Sequence, residues 1–131
     1  MTIPLWSLLI GAVLPYVWHF ASIPYKTKQF GSLDINSPRV QAENLEDVGA
    51  RVWGAQMNAW EALTIFGVAN LAAFMAGLDP EGNWSIAAMI WVGARVLHGV
   101  FYIAGVGLVR MMCFAVAYGV SLWIMVMAAM A

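Results

Sequence analysis

Residues 111–130 read Met-Met-Cys-Phe-Ala-Val-Ala-Tyr-Gly-Val-Ser-Leu-Trp-Ile-Met-Val-Met-Ala-Ala-Met, a nearly continuous apolar run with no charge in it. At 1.5 Å rise per residue, a helix of this length covers the ~30 Å of a bilayer's hydrocarbon. A strand crossing a membrane would instead alternate polar and apolar side chains over ~10 residues, and this run does not alternate. The segment is therefore a membrane-spanning helix, and it sets the fold class for the rest of the chain.

Outward from that run, the pattern repeats. Of the 131 residues, 63% are apolar and 10% charged, and the mean hydropathy is +0.77. This composition excludes disorder and argues against a soluble globule. Four spans of roughly 20 residues would leave only short connections, so the expected fold is all-α: a single-domain integral membrane four-helix bundle over residues 1–131. The expected helices are about 3–24, 47–77, 84–108 and 110–130. The first could be a signal peptide but lacks a basic start, so it reads as a retained helix. The polar stretch Tyr25–Asp47 reads as the main loop, and Leu78–Asp79–Pro80–Glu81–Gly82–Asn83 as a tight turn. The carboxylates of Glu46 and Asp47 suit the start of the second helix. A net charge of −1 removes any case for nucleic-acid binding. The single Cys113 permits no intramolecular disulfide.

Lys26, Lys28, Arg39 and Arg51 cluster around the first loop, and Arg110 marks the third connection. Because Lys and Arg accumulate on the cytoplasmic side, loops one and three should be cytoplasmic and both termini should lie on the opposite face. Trp6, Trp84 and Trp123 would mark or approach that far interface.

Ionisable groups in hydrocarbon cost at least ~2.5–3.5 kcal/mol on insertion scales, so each needs a partner or a purpose. At about 100° per residue, Arg51, Asn58 and Glu61 share an ~80° sector of the second long helix, and Gln56 points well away from them. Arg95, His98 and Tyr102 share a ~60° sector of the third. Folding the two helices about residue 81 brings Glu61 level with Tyr102, puts Arg95 ~9 Å deeper, and leaves Arg51 and Arg110 at the cytoplasmic mouth. The plainest reading is a structural Glu61–Arg95 ion pair with Asn58 and Tyr102 as interhelical hydrogen-bonding groups. So many titratable groups on two facing stripes exceed what a structural bundle needs. His19, near a helix end, reads as an interfacial anchor. His19 and His98 lie on different helices with no metal-ligand spacing, so no metal site is expected.

The segment Arg51–Val–Trp–Gly–Ala–Gln–Met–Asn–Ala–Trp–Glu61 resembles the second-helix signature of the membrane-associated proteins in eicosanoid and glutathione metabolism, the MAPEG family. The Asp34–Ile–Asn–Ser–Pro–Arg39 loop and Ala94–Arg95–x–x–His98–x–x–x–Tyr102 also resemble its bacterial members and the microsomal glutathione transferases. The resemblance implies a homotrimer in a bacterial inner membrane, with glutathione as co-substrate between protomers near the cytoplasmic side. It implies a transferase or peroxidase acting on a lipophilic electrophile or lipid hydroperoxide that arrives through the membrane lipids. Arg51, Gln56, Asn58, Glu61, Arg95, His98 and Tyr102 fall on family positions that contact glutathione or organise its site, and Arg110 resembles an arginine that stabilises the thiolate. Gly54 stands where the eukaryotic transferases and leukotriene-forming members have a second arginine, and Ala62 where the latter have a tyrosine.

The residue types suit that chemistry. Glutathione carries two carboxylates and an ammonium, which call for cations and for a carboxylate such as Glu61. A guanidinium near its thiol favours the reactive thiolate. Two other readings stay open: a non-catalytic lipid-binding or scaffold member of the same family, and a small four-helix transporter. The transporter fits poorly, because the first helix has no carboxylate and a pathway lined by Arg51 and Arg95 repels cationic cargo.

Overall fold

The computed structural model describes residues 1–131, and the chain is helical throughout with no strand. Its elements are α1 (Ile3–Phe30), α2 (Pro38–Glu43), α3 (Asp47–Met75), α4 (Asn83–Ala104) and α5 (Gly107–Met130). There are thus five helices where four were expected, the additional one being short α2. Its Pro38 occupies the first turn, where a missing N–H costs nothing. The preceding turn is fixed by Asp34 Oδ1, which accepts the N–H groups of Asn36 at 3.0 Å and Ser37 at 2.9 Å.

The first helix runs six residues past its expected end at residue 24. Pro15 and Pro24 do not break it, because a helix in hydrocarbon has no water to turn to. Around Pro24 two hydroxyls fold back onto the same helix: Ser22 Oγ donates to the His19 carbonyl and Thr27 Oγ1 to that of Ile23, each at 2.6 Å. What ends α1 is Gly31, whose φ of 83° is left-handed and whose N–H closes on Thr27 O at 2.9 Å. The same device at Gly105, φ 77°, ends α4 at Ala104 rather than 108 and lets α5 begin at Gly107 rather than 110. Gly77, φ 72°, likewise follows the end of α3, two residues short of the expected 77.

Glu46 precedes α3 but does not cap it with its side chain. Its backbone N–H donates instead to Gln29 Oε1 at 3.0 Å, while Gln29 Nε2 donates to Asn44 O at 2.8 Å. Gln29 thereby clamps the end of α1 to the start of α3.

Three helices, α1, α4 and α5, are long and apolar enough to cross a membrane. α3 is long enough but more polar, because it carries Arg51, Gln56, Asn58, Glu61 and Asn70, and it packs against all three of the others. Large apolar side chains such as Phe20, Met112 and Trp123 face outward, as lipid-facing surfaces require. The protein is an integral membrane protein.

The centre of the bundle is the stacked pair Phe66 and Trp91, 3.8 Å between ring centroids, surrounded by small residues such as Ala69, Ala88 and Ala94. Small residues let helix backbones approach closely in a membrane. At Gly99 a β-carbon would collide with the Trp18 ring, so α1 and α4 meet there only because Gly99 has none. Trp84 faces the bundle rather than lipid: it is buried, and its indole donates to Asn70 Oδ1 at 2.8 Å. A buried indole N–H needs an acceptor, and Asn70 supplies one from α3 while donating to Phe66 O at 2.8 Å.

Candidate active site

The polar stripes of α3 and α4 face each other. Arg95, 1% exposed, donates from Nη2 to Asn58 Oδ1 at 2.9 Å, and Asn58 Nδ2 donates to Glu61 Oε2 at 3.3 Å. The direct Glu61–Arg95 ion pair expected from the sequence does not form. Asn58 sits between the two charges and spans their axial offset, one amide group using both its acceptor and its donor. The Arg95 head is therefore held by a neutral partner, and Glu61 remains on the exposed side of the relay.

Nearer the mouth, the Arg110 guanidinium lies 4.7 Å from the centroid of the Tyr102 ring, a cation–π arrangement that brings α5 onto the α4 stripe. His98 meets the same ring edge-on, 5.7 Å between centroids. Arg51 Nε donates to Ile103 O at 3.0 Å. The last carbonyls of a helix lack internal donors, so Arg51 satisfies one at the end of α4 and fastens the two helices together.

Several buried polar atoms here have no partner within the chain: Nε and Nη1 of Arg95, both ring nitrogens of His98, and Gln56 Oε1. Such groups are rare in folded proteins, and each calls for an explanation. Those of Arg95 and His98 lie one turn apart on α4. Gln56 stands apart, with no hydrogen bond joining it to the other site residues, as its position well round the helix from Asn58 and Glu61 predicts.

The structure adds residues the sequence reading missed. A cleft of about 130 Å³ between α3, α4 and α5 is lined by Glu61 and Arg95 and also by Trp91, Phe114, Tyr118 and Ser121. Phe114, Tyr118 and Ser121 share one face of α5 at i, i+4 and i+7. Because α5 is apolar all round, that face carries no contrast from which it could be singled out in the sequence. Ala62 lines the same cleft, and its small side chain leaves room there.

The family model for the MAPEG family matches residues 3–130. The chain belongs to the MAPEG family. No curated protein and no solved structure matches it significantly. In this MAPEG chain the space in front of Gly54 is filled by the Tyr102 side chain, which a β-carbon at that position would strike. The residue that carries Arg110 over the mouth thus depends on the smallest residue of the α3 stripe.

Proposed function

We propose that this MAPEG protein is a membrane-bound glutathione transferase or peroxidase, working as a homotrimer of four-span protomers. The observation that carries the reading is the set of unpartnered polar atoms of buried Arg95 and His98, on the same stripe as the Tyr102–Arg110 pair. A site left incomplete within one protomer fits an anionic, hydrogen-bonding ligand completed at an interface between copies.

The residues present fit glutathione. Arg95 and the two terminal nitrogens of Arg51 would hold carboxylates, Glu61 the ammonium, and Asn58 keeps Glu61 and Arg95 in register. Glutathione supplies a thiol whose anion is the nucleophile or reductant. Arg110, held over Tyr102, would supply the positive charge that favours that anion. The largely apolar cleft behind Glu61 and Arg95 is bordered by exposed Phe114 and Tyr118, so a lipophilic partner would enter from the bilayer.

Isothermal calorimetry of the detergent-purified protein with glutathione tests this reading. Saturable binding, weakened in Arg95→Met, is expected; no binding at millimolar ligand overturns it. Native mass spectrometry should show trimers, and monomers or dimers alone across mild detergents would contradict the assembly. The orientation proposed from the basic residues places the site at the cytoplasmic face of a bacterial inner membrane. A thiol engineered at Ser32 should then be shielded in intact cells, and one at Asn83 accessible.

A further inference from the structure

Outside the α3–α4 site, the fold buries one other charged side chain. Lys26, in the last part of α1, is 3% exposed: its stem is buried while its ammonium still reaches the surface, where it makes neither a hydrogen bond nor an ion pair within the chain. A lysine with a buried stem and an ammonium that no group of the chain pairs leaves that charge free for a ligand. Lys26 borders a cavity of about 310 Å³ between α1 and the segment that carries α2.

The other side of this cavity is built rather than loose. Asp34 lines it, with Oδ1 engaged by Asn36 and Ser37 and Oδ2 free. Gln41 fixes the loop by accepting the Asp34 N–H at 3.1 Å and donating to Ser32 O at 2.8 Å. An ammonium and a carboxylate thus face one cavity without coming within the 4.0 Å of an ion pair. A ligand with both charges, separated by a short linker, satisfies the two together. His19 offers an imidazole on the same wall.

We propose that this cavity binds a phosphoethanolamine group, phosphate on Lys26 and ammonium on Asp34, as the headgroup of a lipid in the adjoining leaflet. A purely anionic headgroup meets repulsion from Asp34, and a quaternary ammonium has no N–H to donate to it. The lipid rather than a soluble phosphoethanolamine is favoured by the apolar side chains around the entrance. Ile23 and Leu33 line the cavity, and Ile35 is 86% exposed on a loop that directly follows a membrane helix. Exposed apolar side chains beside the end of a membrane helix suit the boundary between headgroups and acyl chains.

Native mass spectrometry of the delipidated full chain, given equal amounts of phosphatidylethanolamine, phosphatidylglycerol and phosphatidylcholine, tests the proposal. Retention of phosphatidylethanolamine should exceed that of the others by about 10-fold, the effect of one charge-assisted hydrogen bond. Lys26→Met should abolish the preference, Lys26→Arg should keep it, and Asp34→Asn should shift it toward phosphatidylglycerol. Equal retention of the three lipids overturns the proposal, as does a preference unchanged in Asp34→Asn, a readout that stands even if Lys26→Met does not fold. Free phosphoethanolamine displacing the lipid at equal concentration reassigns the site to soluble ligands, and displacement by glutathione reassigns it to the active site; either result overturns the lipid assignment.

Discussion

The ring of Tyr102 occupies the space in front of Gly54: a β-carbon on Gly54 would lie 2.7 Å from Tyr102 Cζ. Gly54→Ala must therefore displace the tyrosine that supports Arg110. Overpacking of this kind costs ~1–3 kcal/mol, so the variant should melt several degrees lower and lose most glutathione-dependent turnover. Adding Tyr102→Ala should restore the melting temperature but not the turnover. A normal melting curve for Gly54→Ala would show that the ring has room to move.

The relay through Asn58 predicts a specific pattern of energetic coupling. Hydrogen bonds to charged groups contribute ~1.5–3 kcal/mol, so Arg95→Met and Asn58→Ala should each lower thermal stability clearly. In a double-mutant cycle, Glu61→Gln and Arg95→Met should be coupled in the native background and independent when Asn58 is alanine. Coupling that survives the loss of Asn58 would mean that the two charges interact directly.

Arg110 and Arg51 should separate by function. Arg110→Ala should leave glutathione binding within a few-fold while moving the bound thiol's titration toward the free value of ~8.5, followed by ultraviolet absorbance of the thiolate. Arg51→Ala should weaken binding by ~10-fold or more, with little effect on the thiol, in line with the loss of a charge-assisted hydrogen bond. An unchanged thiolate titration in Arg110→Ala at full occupancy would assign the cation's role to another residue.

The Trp84–Asn70 bond offers a control remote from the chemistry. Asn70→Leu leaves a buried indole N–H without an acceptor, which costs ~1–3 kcal/mol, and should lower the melting temperature without changing glutathione affinity. Replacing both partners, Asn70→Leu with Trp84→Phe, should recover much of the loss.

The helical membrane class was legible from runs such as Met111–Met130, because a bilayer imposes both length and composition on what crosses it. The grouping of Arg95, His98 and Tyr102 was legible too, since 100° per residue fixes a helix face whatever packs against it. What stayed hidden depended on particular partners. Asn58's place between Arg95 and Glu61 is a matter of side-chain reach, which helical periodicity does not specify. The continuation of α1 through Pro24 depends on the surroundings of the helix, while its proline reads as a stop in any aqueous context. Trp84 resembled a belt residue until its acceptor on α3 was in view. The cleft face of α5 was invisible because polar contrast, the signal for a face, is absent there.

The polarity of α3 bears on how the protein is made. Of the four long helices, α3 is the most polar, yet it packs against all the others. During synthesis it leaves the ribosome after α1 and before α4, while the amide of Asn58 still lacks the guanidinium it will meet and Trp84 has not yet emerged to reach Asn70. α4 in turn brings an arginine whose cost of ~2.5–3.5 kcal/mol in lipid is offset only against α3. Insertion of the two segments together, as a hairpin in which each masks the other's polar stripe, would offset both costs, and the short turn at 76–82 that joins them would keep the unmasked interval brief.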